Sequence, residues 1–154
     1  MNRDKRAYTA ERIADARALL PQPELDAWVA SWSPDGGGHL VPLSVAWDDT
    51  HLILATEPVA VTTRNFEQVP RARLGLGHTR DVVMIDADVE QSMAADDAPP
   101  SVVEVYAARS GWDPRVGGVP FVVHLLVPVR IQAWREANEL EGRTLMRDGG
   151  WLED

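Results

Sequence analysis

The first part of the chain has apolar residues at helical spacing. Ile13, Ala16 and Leu20 recur every three or four residues after a threonine that can cap a helix. Two prolines then end the pattern, because proline cannot continue a helix. We predict an amphipathic helix over about residues 9–20.

From about residue 27, short apolar runs alternate with turn residues. Two runs flank the sequence "SPDGGG", which is typical of a hairpin loop because glycine and aspartate tolerate positive φ. The sequence "DDT" separates the next two runs, and later runs bring the total to about six strands. The last run, 121–131, is apolar at nearly every position, which indicates a strand that is buried on both faces or shared with a partner.

Two segments between these strands return to helical spacing, "VAVTTRNFEQV" and "SVVEVYAARSG". About six successive strands with two or three inserted helices favour an antiparallel barrel with peripheral helices, since a parallel sheet needs a helix between nearly every pair of strands. We therefore predict a mainly β, α+β fold in a single domain over residues 1–154. Its barrel occupies about residues 27–134, and residues 135–154 form a polar tail with a weak helical start.

The composition is that of one globular domain, and it argues against several kinds of partner. The chain has 154 residues, of which 45% are hydrophobic and 25% are charged. Its net charge of −9 repels phosphate backbones, so we expect no nucleic-acid partner. It has no secretory signal pattern and no run of about 20 apolar residues, so we expect no membrane partner and a cytoplasmic location.

The side chains that usually carry catalysis do not form a known motif. The chain has no cysteine, which excludes thiolate metal ligands and cysteine nucleophiles. No serine has the Gly-x-Ser-x-Gly setting of a hydrolase nucleophile. The four histidines lie in separate predicted elements without the close spacing of a metal site: His39, His51, His78 and His124. We interpret them as structural or surface residues, and we predict no metal and name no catalytic residue.

The segment "ATEPVAVTTRN" is the clearest candidate for a binding site. A strand ends at Thr56 and leads into a helix, so free N–H groups and the positive end of the helix dipole lie together. Four polar residues follow in the first turns of this helix and can offer neutral donors and one guanidinium: Thr62, Thr63, Arg64 and Asn65. The same pattern also fits a solvated helix that only connects two strands, and spacing alone does not separate these alternatives.

One tryptophan of six is a further candidate. Trp134 is followed directly by Arg135, at the point where an apolar strand becomes polar. An aromatic ring in such a position can stack on a planar ligand.

The order of motifs over about residues 27–90 resembles the pyridoxamine 5'-phosphate oxidase-like flavin-binding split barrels. The resemblance rests on an Asp-Gly turn, a strand with "VPL", a Trp-Asp turn, a strand that ends in threonine, a helix with "RNF", and "VPRARLGLG". It implies a six-stranded antiparallel split β-barrel that forms a homodimer, with a cofactor in the groove between the subunits. The implied cofactor is flavin mononucleotide (FMN) or the deazaflavin coenzyme F-420.

The resemblance also implies positions for the cofactor. The ring would lie against the backbone of Val41, Pro42, Leu43 and Ser44. The phosphate would lie near the helix start described above, at Thr56 and 62–65, and Trp134 would reach the ring or its rim.

Two functions follow from this resemblance. The first is an oxidoreductase that transfers hydride between the cofactor and a small organic substrate. The second is a non-catalytic ligand-binding or cofactor-sequestering dimer that has lost tight FMN binding. The second arises because Thr62 stands where the family usually has lysine, and Glu67 and Gln68 stand in place of a basic pair.

Overall fold

The computed structural model describes residues 5–152, so the ends of the domain predicted over 1–154 lie outside the described residues. The helices are α1 (Lys5–Leu19), α2 (Val61–Gln68) and α3 (Pro100–Ser110). The strands are β1 (Asp26–Trp32), β2 (Gly38–Ser44), β3 (Ala46–Trp47), β4 (Leu52–Thr56), β5 (Arg71–His78), β6 (Asp81–Ala94), β7 (Val122–Trp134), β8 (Thr144–Arg147) and β9 (Gly150–Trp151).

The strands form one antiparallel sheet with the order β2-β1-β5-β6-β7-β4-β3, and β8 and β9 extend it beside β7. The predicted mainly β, α+β class with peripheral helices is confirmed. The described chain has nine strands where the sequence predicts about six. Two of the additional strands are β8 and β9, which lie in the segment predicted as a polar tail with a weak helical start.

The β8–β9 hairpin has a local cause. The strands pair through Met146 with Trp151 and Arg147 with Gly150, which leaves a two-residue turn at Asp148 and Gly149. Both turn residues have positive φ, 51° and 78°. An Asp-Gly pair is favoured in such turns because both residues tolerate this conformation.

The two edges of the sheet approach each other. β2 lies at one end of the strand order and the β3–β4 hairpin at the other, and the described strands have no β2–β4 ladder. β2 and β4 are nevertheless close in space. The sheet therefore curls into a barrel that is open along one seam, and this seam positions the site described below.

Strand β7 is buried on both faces within one chain. Leu126 and Ile131 face the barrel core, whereas Val123 and Leu125 pack in a second cluster with Tyr106 of α3. Cover by α3 explains why the strand is apolar at successive positions, because both faces are removed from water. The first of the two alternatives for residues 121–131, burial on two sides, is confirmed.

Candidate functional site

A groove of about 720 Å³ opens at the seam between β2 and the start of α2. Its volume lies within the roughly 300–1,000 Å³ that is usual for small-molecule sites. It is lined by His39, Val41, Pro42, Leu43, Ser44, Ala55, Thr56, Glu57, Ala60, Thr62, Tyr106, Trp112 and Phe121.

Six of the ten residues predicted to hold a cofactor line this groove. Four of them are 41–44 of β2, and the others are Thr56 and Thr62. Because β2 is at the end of the strand order, one side of its backbone is not used by a neighbouring strand. Pro42, which has no N–H group, is tolerated on such an edge strand.

The start of α2 brings hydrogen-bond donors to the groove. The residue before the helix, Ala60, makes no side-chain cap bond, and the helix has no acidic residue in its first turn. Arg64 is the residue whose N–H bonds back to the carbonyl of Ala60, at 3.1 Å, so the N–H groups at positions 61–63 precede the helical bonding pattern. Thr62 lines the groove at 2% exposure, and its hydroxyl has no hydrogen-bond partner among the described residues. These groups suit an anion.

The other predicted residues lie elsewhere in the single chain. The Asn65 amide donates to the Ser31 hydroxyl inside the barrel, at 3.0 Å. Arg64 is exposed and outside the groove lining, and its guanidinium has no partner within residues 5–152. Trp134 lines a separate cavity of about 430 Å³ beside α1, and the Arg143 guanidinium carbon lies 5.3 Å from its ring centre.

Thr63 belongs to a chain of buried hydrogen bonds beneath the groove. Its hydroxyl donates to the carbonyl of Glu57 at 2.7 Å and lies 2.6 Å from the Thr56 hydroxyl. Thr56 lies 2.7 Å from Nε2 of His124, and Nδ1 of His124 lies 2.7 Å from the Ser92 hydroxyl. The chain therefore connects α2 with β4, β7 and β6.

The positions of the protons in this chain follow from simple counting. Each hydroxyl has one hydrogen, and Thr63 uses its hydrogen on a carbonyl, so Thr56 donates to Thr63. Thr56 then accepts from Nε2–H of His124. Complete burial lowers the pKa of His124 to about 4, because desolvation penalises the charged form, so the ring is neutral at pH 7 and its unprotonated Nδ1 accepts from Ser92. In the absence of an added ligand, the Thr56 hydroxyl hydrogen is used inside the protein.

Three aromatic rings that contact one another also line the groove. Trp112, which is 36% exposed, makes edge contacts with Tyr106 and Phe121, with ring centres 5.4 Å and 5.0 Å apart. Burial raises the pKa of Tyr106 to about 12, so its phenol is neutral at ordinary pH. The sequence did not predict this aromatic cluster, because its residues come from α3, the loop after it and the start of the next strand.

The groove lining contains one carboxylate, Glu57, one histidine, His39, and no lysine or arginine. A bound anion would therefore be held mainly by neutral donors. In the described part of the chain, no group of three or more histidine, aspartate or glutamate side chains could hold a metal ion. None of the described helices is long and apolar enough to cross a membrane.

The fold of this chain is similar to that of several solved structures. An F-420 reductase aligns at a TM-score of 0.61 and 18% identity, over 75% of this chain and 94% of that chain. An FMN-binding protein related to pyridoxamine 5'-phosphate oxidase, from Nostoc punctiforme, aligns at 0.55 and 20% identity, over 82% and 80%. PhzG from Burkholderia lata, in complex with tetrahydrophenazine-1-carboxylic acid, aligns at 0.54 and 15% identity, over 87% and 81%.

No family model matches this chain, and no curated protein matches it. These structural likenesses, at 15–20% identity, show the fold of this chain, which is a split barrel like that of the aligned proteins. The split-barrel fold predicted from the sequence resemblance is confirmed, and the homodimer remains a prediction.

Proposed function

We propose that this protein is an oxidoreductase that binds FMN or coenzyme F-420 in the groove and transfers hydride between the cofactor and a small organic substrate. The observation that carries this proposal is the meeting of residues 41–44 of β2 with the start of α2 in one groove of about 720 Å³. An apolar wall suits a planar ring, and free N–H groups at a helix start suit its phosphate.

Each part of the groove has a role in this proposal. The bound cofactor supplies the hydride chemistry, and the protein supplies binding, orientation and exclusion of water. The edge strand β2 supports the ring and offers unused backbone groups to its polar edge. Thr62 and the first N–H groups of α2 hold the phosphate, and Trp112 supplies an aromatic surface in the same groove.

A second copy of the chain completes the proposed assembly. Trp28 and Leu40 are 56% and 60% exposed, and cross-strand pairing places them beside Pro42 and Ala30 on the outer face of the sheet. Neighbouring exposed apolar residues of this kind favour a protein contact. We propose that the homodimer forms across this face, which adjoins the groove because Pro42 belongs to both. The sheet register places Trp134 on the same outer face. In the proposed dimer this face meets the second subunit, so Trp134 would approach the cofactor in the groove of that subunit.

The dimer has its own test. Trp28→Asp should convert a wild-type dimer to a monomer in analytical ultracentrifugation, because a buried unpaired carboxylate opposes association. A monomeric wild-type protein at micromolar concentration would refute this part of the proposal.

Cofactor titration tests the main proposal. Quenching of flavin or deazaflavin fluorescence should give a dissociation constant in the micromolar range or below for FMN or coenzyme F-420. If neither cofactor binds, the proposed function is wrong. A Thr62→Val variant should weaken cofactor binding because it removes the hydroxyl of Thr62 from the groove. Valine keeps the shape of the side chain, so the change isolates the effect of the hydroxyl.

The alternative function is a non-catalytic dimer that binds or sequesters a cofactor. The absence of lysine and arginine from the described groove lining favours it, because family-like phosphate anchors are missing there. The two functions differ in turnover. A reduced, bound cofactor that is reoxidised by a panel of organic acceptors no faster than free cofactor would support the alternative.

A further inference from the structure

The first turn of α2 is tied to the middle of the sheet by the buried hydrogen-bond chain, and we propose that His124 is a positioning residue for phosphate recognition. It holds the turn that carries the phosphate-binding groups through Thr56 and Thr63. This inference rests on the proposed cofactor site and extends it to residues outside the groove. His124 does not line the groove, so it has no direct contact with a ligand there.

The direction of the chain explains how His124 acts at a distance. The last donor, Thr63, lies in the first turn of α2, and the last acceptor is the carbonyl of Glu57 on the groove wall. These two residues bracket the segment that leads into the helix. Thr62 is next to Thr63 in the chain and presents its hydroxyl to the groove. A shift of Thr63 therefore moves the free N–H groups and the Thr62 hydroxyl together.

Core packing alone does not explain a histidine at this position. His124 is completely buried, with Phe66 of α2 in edge contact at 5.0 Å between ring centres. A leucine would fill such a position without the cost of desolvating two ring nitrogens. A histidine whose two ring nitrogens are both hydrogen-bonded instead holds the groups that it joins in a single geometry. The neighbouring bond from Asn65 to Ser31 adds a second polar tie between the same helix and the sheet.

The test compares each cofactor with its phosphate-free form, namely FMN with riboflavin and coenzyme F-420 with its deazaflavin chromophore. We expect His124→Leu to lower the ratio of FMN to riboflavin affinity, or the corresponding deazaflavin ratio, by about tenfold or more. The reason is that displaced N–H groups lose a charge-assisted hydrogen bond to phosphate. Affinity for the phosphate-free form should change little, because the β2 wall remains intact.

Two variants serve as controls for this effect. His124→Gln retains a donor directed at Thr56 and should keep the wild-type ratio. Leu126→Ala lies two residues further along β7, is also completely buried, and has no polar contact. It should lower the melting temperature without changing the affinity ratio, which separates loss of stability from loss of positioning.

The possible outcomes are distinct. A folded His124→Leu protein with an unchanged ratio overturns the inference and leaves a purely structural histidine. If that variant does not fold, the same affinity ratio is measured for Ser92→Ala, which removes the hydrogen bond that selects the Nε2–H form of His124. A several-fold lower ratio supports the inference, and an unchanged ratio overturns it. The wild-type protein is titrated before any variant, and a wild-type protein that binds neither cofactor refutes the proposed function itself.

Discussion

Acidification from pH 7 to pH 5 should destabilise this protein through His124, in a range where most carboxylates remain ionised. Burial lowers the folded-state pKa of His124 from 6.5 to about 4. Below pH 6.5 the unfolded chain therefore binds a proton that the folded protein does not bind, and the free energy of unfolding falls as the pH falls. Below about pH 4 both states are protonated, and the loss stops increasing.

The size of this loss follows from the two pKa values. With one proton, it is about 2 kcal/mol at pH 5 and about 3 kcal/mol at pH 4. Urea denaturation of the wild type and of His124→Gln at pH 7, 6 and 5 measures it, because all other titrating groups remain in both proteins. The gap between the two unfolding free energies should change by about 2 kcal/mol between pH 7 and pH 5. Parallel pH profiles for the two proteins would show that His124 is not held neutral by burial.

Three further substitutions, two of them with a matched control, test the packing of the fold by urea denaturation. Gly77→Ala should lower the free energy of unfolding by about 2 kcal/mol or more, because φ of Gly77 is 81° and a Cβ atom would lie 2.5 Å from the carbonyl oxygen of Asp81. Gly36 has a similar φ but open space around it, so Gly36→Ala should cost about 1 kcal/mol. Equal losses for the two variants would contradict the predicted clash. Arg12→Met should destabilise by about 1–3 kcal/mol, since it removes buried hydrogen bonds from the guanidinium to the Ala133 carbonyl and to Glu139, although Glu139 keeps Arg135 as a partner. Arg80→Met, which removes an exposed pair, should stay within about 1 kcal/mol, and an Arg12 effect as small as that of Arg80 would refute the role of the buried hydrogen bonds. Leu54→Ala should cost about 2–5 kcal/mol because its side chain is completely buried in the barrel core, and a loss below about 1 kcal/mol would mean that the core relaxes around the cavity.

Local sequence patterns located most of the elements. The β1–β2 hairpin follows from "SPDGGG", and α2 and α3 follow from apolar residues at helical spacing. The sequence pattern does not indicate the β8–β9 hairpin, although Asp148 and Gly149 are a recognised turn signal. Its strands have only four and two residues, too few to display an alternating pattern.

The candidate site was predictable only in part. The motif order led to residues 41–44 of β2 and to Thr62, which line the groove. Thr63, Arg64 and Asn65 are neighbours of Thr62 in the same motif, yet their side chains lie beneath the groove, in solvent and in the barrel. Helical geometry turns successive side chains by about 100°, so the way α2 packs on the sheet decides which of them meets a ligand.

The sequence by itself determined the helices, the β1–β2 hairpin and the antiparallel class, because these depend on interactions between residues close together in the chain. Only the tertiary structure decided the groove and the environment of His124. Thr56 and His124 are 68 residues apart, and they meet because β4 pairs with β7 in a register that opposes Leu54 to His124. That register is selected by burial of the whole sheet, since a slip of one residue would turn every core side chain to the other face.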